Sequence, residues 1–167
     1  NDCPDLTQVL VPIGGGGLIA GIASVIKQCR PEVRVIGVEP RGAAKMTASL
    51  AAGHPVSLDR VASVADGLLP VRPGDLTFHY VRRWVDEIVT IDDGPIVEAV
   101  LWLCRRAKLV VETSGAATLA ALLELTDAAT STESKAGSTV VVLSGGNISL
   151  ETLTELSSRA KPSDVRP

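Results

Sequence analysis

The chain has 167 residues, a length that suits one domain with its own core, and 46% of them are hydrophobic, which excludes a disordered chain. Sixteen basic residues against 19 acidic ones leave a net charge of −3, so there is no basic excess to hold a polyanion. Three of the four aromatics, Phe78, Tyr80 and Trp84, sit in one short segment and offer no base-stacking platform, so nucleic acid is not expected as a partner.

Residues 8–13 read as a buried strand that ends in Gly14-Gly15-Gly16-Gly17. A helix is predicted over 18–29, with Leu18, Ile22, Val25, Ile26 and Cys29 on one apolar face. A second strand covers 33–38 and a helix 42–52. Residues 54–74 carry Pro55, Pro70, Pro73 and Gly74 and read mostly as loop. A short helix with Leu76, Tyr80, Val81 and Trp84 precedes a third strand at 87–91. Asp92 or Asp93 caps the next helix, which has Pro95 in its first turn and buries Ile96, Val97, Val100, Leu101 and Cys104. Val110 and Val111 form a short strand or an extended entry to an Ala-rich helix over 114–125. A small, polar stretch at 126–138 reads as loop, and a β-branched strand at 139–143 closes on Ser144-Gly145-Gly146-Asn147. A last helix spans 150–159 before a Pro-bearing tail. There is no internal repeat.

Alternating strands and helices predict an α/β fold: a three-layer parallel sheet with helices on both faces. Ligands in such sheets sit outside the carboxyl ends of the strands. Both glycine clusters, 14–17 and 145–146, fall there and are expected to converge on one ligand.

Cys3, Cys29 and Cys104 are odd in number and form no CxxC pair, so neither a disulfide framework nor a zinc site is expected, and Cys29 and Cys104 are placed in the core. No apolar run is long enough to span a membrane and no cleavable leader is visible, so a cytoplasmic protein without a membrane partner is expected. Asn1-Asp2-Cys3-Pro4 runs almost directly into a strand with no initiator Met, which reads as a piece of a longer chain.

Strand, glycine turn and helix together suit a phosphate. Glycine lets the backbone approach the anion and adopt positive φ, and the unpaired N–H groups of the first helical turn face it. Each such charge–dipole contact contributes roughly 0.3–1 kcal/mol when exposed, and up to about 2 when partly buried. A competing reading takes Gly15-x-Gly17-x-x-Ala20 as a dinucleotide fingerprint, with Glu39, 24 residues after Gly15, as the ribose-binding acid of a nicotinamide-dependent oxidoreductase. It gives no task to Ala65-Asp66-Gly67-Leu68 or to Ser144-Gly145-Gly146-Asn147.

The tetraglycine loop, Val38-Glu39-Pro40, Ala65-Asp66-Gly67-Leu68, Val111-Glu112-Thr113-Ser114-Gly115-Ala116-Ala117 and Ser144-Gly145-Gly146-Asn147-Ile148 occur in this order. The set resembles the C-terminal half of the fold-type II pyridoxal-phosphate enzymes, most closely the serine/threonine dehydratase and serine racemase group. The resemblance covers about residues 8–156. It implies pyridoxal 5'-phosphate as cofactor, bound through the backbone of Gly14, Gly15, Gly16, Gly17 and Leu18. It also implies Ser144 as the partner of the pyridine nitrogen. A hydroxyl there is neutral, leaves the ring unprotonated and favours β-elimination over chemistry that needs a stronger electron sink.

The implied activity is dehydration and deamination of L-threonine or L-serine, small hydroxy amino acids, by a homo-oligomeric parent enzyme. Serine racemase or threonine synthase chemistry and a non-catalytic binding module are the alternatives. Glu112 is either an acid near the cofactor or a carboxylate favoured by a helix N-terminus, and Thr113 stands where the group usually has proline. The Schiff-base lysine of the group lies upstream of the glycine loop, whereas Lys27, Lys45, Lys108, Lys135 and Lys161 all follow it. No catalytic residue is therefore assigned, and the chain is expected to be an inactive fragment of the large cofactor domain. Several members of the group also hold Mg²⁺ or Ca²⁺ between a Glu-Pro acid and a second acid six residues on. Here Glu39-Pro40 matches, Ala43 offers a carbonyl and the sixth position is Lys45. No metal is expected. Lys45 either approaches Glu39 in place of the ion or points to water.

Overall fold

The computed structural model describes residues 2–128 and 137–159. Strands β1 (Leu6–Pro12), β2 (Arg34–Pro40), β3 (Glu87–Ile91) and β4 (Ser138–Val141) form one sheet in the order β3-β2-β1-β4. Every neighbouring pair is parallel, with Val9 opposite Val35, Val38 opposite Val89 and Val9 opposite Val140. The helices are α1 (Gly17–Cys29), α2 (Lys45–Ala52), α3 (Asp75–Trp84), α4 (Asp93–Trp102), α5 (Thr113–Ala128) and α6 (Leu150–Arg159). A π turn at Leu103–Ala107 extends α4 and ends at Lys108.

Strand periodicity divides the core in two. Val9, Val11, Ile13 and Val35 pack with Ile19, Ala23, Met46, Phe78 and Val81, from α1, α2 and α3. Leu10, Ile36 and Val38 face the other way, onto Ile96, Val100, Ala117, Ala120 and Leu156, from α4, α5 and α6. The expected three layers are present.

Several local expectations are corrected. The buried residues of α1 are Ile19, Ala20 and Ala23, with Ile22 and Ile26 partly buried, whereas Leu18 and Val25 are 46% and 61% exposed. The buried face is thus turned from the expected one, toward Ile19, Ala20 and Ala23. Gly37 of β2 leaves room only for the tips of Ile13 and Ile19, which seats Ile19 of α1 on the sheet. Cys29 is therefore exposed rather than buried, and Cys104 is only half-buried in the π turn. Of the two readings of residues 110–111, the strand is not formed, and they lead into α5 as its entry. The helix expected over 42–52 begins at Lys45, after a 3₁₀ turn at Arg41–Ala43. Most of the 126–138 loop, with Lys135, and the tail with Lys161 lie outside the described residues. Among the described residues no helix is long and apolar enough to cross a membrane.

Candidate functional site

The carboxyl ends of β1 and β4 meet at one cleft of about 240 Å³. Its walls are Pro12 and the glycine loop 14–17, Leu18 at the start of α1, the Gly67-Leu68 turn, Glu112 and Ser114 at the start of α5, and Ser144 after β4. Gly14 to Leu18 and Ser144 are thus brought to a single space.

The loop is built to present N–H groups. Ile13 donates to the Val38 carbonyl at 2.8 Å and holds the end of β1 in the sheet. The next N–H with a partner is that of Ala20, which donates to the Gly16 carbonyl at 3.0 Å; among the described residues no hydrogen bond uses the N–H of Gly14, Gly15, Gly16, Gly17 or Leu18. The loop carbonyl at Gly15 is drawn away by the Thr77 hydroxyl at 2.6 Å and the Gly74 N–H at 3.2 Å. Gly16 has φ +95, and a Cβ there would lie 2.8 Å from Met46 Cε and 2.9 Å from Thr77 Oγ1, so only glycine fits. A Cβ on Gly15 or Gly17 would meet no protein atom within 4 Å. Unpaired donors at a helix N-terminus beside open space fit a phosphate group. Thr77 and Gly74 were not legible in the sequence, because they lie some sixty residues from the loop and belong to no motif.

The opposite wall is pinned by side chains. Ser114 Oγ accepts from the Gly67 N–H at 2.9 Å, and Thr113 Oγ1 donates to the Val64 carbonyl at 2.7 Å. Asp66 accepts from the N–H of Gly67 at 2.8 Å, which is turn chemistry. Glu112 Oε2 accepts from the Asn147 N–H at 3.0 Å, and the Glu112 N–H donates to the Gly145 carbonyl at 3.0 Å. A Cβ on Gly145 would run into the Glu112 carboxylate. That close approach keeps Ser144 beside α5. Among the described residues, Glu112 is the one titratable residue on the cleft wall.

Glu39 and Lys45 lie behind the loop, each with no solvent exposure. Glu39 Oε1 accepts from the Met46 N–H at 2.9 Å, and Oε2 from the Thr47 N–H at 2.9 Å and its hydroxyl at 2.8 Å. The carboxylate thereby caps α2, whose N-cap residue Ala44 has no side-chain acceptor. Both oxygens are engaged, so Glu39 is not available to a ribose, and the dinucleotide reading loses its acid. Lys45 Nζ lies 3.4 Å from Glu39 Oε1 and donates to the carbonyls of Ile13 at 2.8 Å, Ala43 at 3.2 Å and Leu68 at 2.9 Å. It points inward, not to water. Burial pulls it below the ordinary lysine range, and the Glu39 charge opposes that pull. A nitrogen faced only by acceptors keeps all three protons. Neither of the other described lysines reaches the cleft: Lys27 pairs with Asp86, and Lys108 donates to Arg105.

Residues 1–146 match the family model for pyridoxal-phosphate-dependent enzymes, and the chain belongs to that family. It is 40% identical over 155 residues to the L-threonine ammonia-lyase of Thermotoga maritima, covering 93% of this chain and 37% of that protein. It is 38% identical to the serine racemase of Oryza sativa subsp. indica, covering 92% of this chain and 45% of the racemase. Threonine deaminase isoform 2 of Solanum lycopersicum superposes with a TM-score of 0.87 at 34% identity, covering 94% of this chain and 45% of that one. The chain spans less than half the length of these relatives.

Proposed function

We propose that the chain is part of the cofactor domain of a longer pyridoxal-phosphate enzyme that converts L-threonine or L-serine to a 2-oxo acid and ammonia. On the resemblance, the covalent lysine and the small domain lie outside this chain, and residues 1–167 alone are expected to be inactive. What supports this is convergence: five unpaired N–H groups, a strand-end hydroxyl and one carboxylate share a cleft in a chain 40% identical to a threonine ammonia-lyase.

The N–H groups of Gly14 to Leu18 hold the cofactor phosphate, with the α1 dipole behind them. The Ser144 hydroxyl, on the cleft wall, would hydrogen-bond the pyridine nitrogen without charging it. The bound cofactor supplies the electron sink for loss of the α-proton and the β-hydroxyl. Glu112, held by Asn147, is the group of this chain able to take or give a proton at the cleft wall.

The test is 2-oxo acid release by the full-length enzyme from L-threonine and L-serine, followed in a dehydrogenase-coupled assay. Turnover of either substrate is expected, with none by residues 1–167 alone. Release of D-serine without 2-oxo acid would support racemase chemistry instead, in line with the 38% identity to a serine racemase. Neither product would refute both.

A further inference from the structure

Lys45 is the largest side chain without solvent exposure among the described residues, and nothing in the function above employs it. Its three donated bonds reach three separate segments. Ile13 directly precedes the glycine loop, Ala43 precedes α2, and Leu68 lies in the turn that forms the opposite lip of the cleft. Two of these segments also touch each other: a Cβ on Gly14 would stand 3.0 Å from the Gly67 carbonyl. Without the ammonium, the three carbonyls would lose this donor and face the Glu39 carboxylate, which would keep only its Met46 and Thr47 donors. The place does not fit a divalent ion, because the ammonium fills it and a single carboxylate offsets the charge.

We propose that Lys45 is a tethered cation that positions the glycine loop against the Asp66–Leu68 turn, and that its four oxygens become a cation site once the side chain is removed. Lys45 is a positioning residue, acting on the cleft through Ile13 and Leu68. Hard oxygen donors with one carboxylate suit a monovalent ion in size and charge. A second carboxylate would raise the charge to that of a divalent site. The stability arm of the test stands apart from the proposed function, and only the affinity arm rests on it.

The full-length enzyme is treated with EDTA and unfolded by heat at matched ionic strength in choline, potassium, ammonium and calcium chloride. The wild type should respond to none of these ions specifically. Lys45→Ala should unfold roughly 10 °C lower in choline chloride and regain much of that loss in potassium or ammonium chloride. Its affinity for pyridoxal phosphate, read by fluorescence, should fall about tenfold and recover with the ion. Lys45→Met fills the space without charge and should respond to no ion. If Lys45→Ala does not fold, Lys45→Asp prepared in calcium chloride carries the test: it should hold about one Ca²⁺ per chain by elemental analysis and lose stability on chelation. Ion-indifferent behaviour of both Lys45→Ala and Lys45→Asp overturns the proposal, as does release of a bound divalent ion by the wild type. Ion-dependent stability with unchanged cofactor affinity overturns the positioning role. Wild type that binds no pyridoxal phosphate refutes the proposed function and leaves the ion arms to decide on Lys45.

Discussion

Replacing Gly16 and Gly15 one at a time separates backbone strain from ligand contact in the glycine loop. Gly16→Ala places a side chain at φ +95, which costs about 1–2 kcal/mol for an L-residue. Its methyl would also sit 2.8 Å from Met46 Cε and 2.9 Å from Thr77 Oγ1. Met46 yields at its flexible end. Thr77 cannot move without weakening its 2.6 Å bond to the Gly15 carbonyl, a further loss of about 1 kcal/mol. The sum is about 2–3 kcal/mol, or a fall of roughly 4–12 °C in unfolding midpoint if the domain of 150–250 residues unfolds as a unit. Gly15→Val meets no protein atom at its Cβ and needs no positive φ, so the midpoint should stay within about 2 °C of wild type. Its added bulk lies beside the unpaired N–H groups. Displacing a phosphate from two of them at about 1.5–3 kcal/mol each weakens cofactor binding by roughly 10²- to 10⁴-fold. Calorimetric unfolding and fluorescence titration with pyridoxal phosphate measure the two effects separately. A Gly16→Ala enzyme as stable as wild type would refute the strain argument, and a Gly15→Val enzyme of unchanged affinity would refute the cradle.

Ser144→Ala should slow 2-oxo acid release by about 10- to 100-fold, the loss of one hydrogen bond of roughly 1.5–3 kcal/mol at the ring. Ser144→Asp should instead shift the pH dependence of the cofactor absorbance, since a carboxylate holds a ring proton; an unaltered spectrum in both variants would remove Ser144 from the site. Away from the cleft, burial pushes the Asp86 carboxyl up, but the Lys27 ammonium and the Val35 N–H at 2.7 Å more than offset it and leave it below the ordinary aspartate range. Its stabilisation is therefore complete above that range and is lost as the pH falls through the lower folded value. Asp86→Asn should cost about 1 kcal/mol at pH 7, a small figure because the carboxylate is partly exposed and screened. Denaturant midpoints should converge for the two proteins below about pH 4, and a constant gap across that range would contradict the sign.

The order of strands and helices and the character of the loop at 14–17 were legible in the sequence because they rest on local rules. Apolar runs, period and glycine clusters act over a few residues, and the parallel sheet follows from their alternation. The Glu39–Lys45 encounter was also within reach, since the two are six residues apart across one turn. What surrounds them was not. The buried face of α1 depended on the sheet beneath it, where Gly37 leaves room for the tip of Ile19 while Val25 stays outside. The Thr77 hydroxyl that turns the Gly15 carbonyl away, the Leu68 carbonyl on Lys45 and the press of Gly145 on Glu112 join residues 23 to 62 positions apart. Such contacts carry no periodic signal, because they are fixed by where parallel crossovers return the chain. The sequence by itself determined the order of strands and helices and the glycine turn between β1 and α1. Only the tertiary structure decided which distant groups close around that turn, because a buried donor or charge is satisfied by whatever backbone the packed sheet brings within about 3 Å of it.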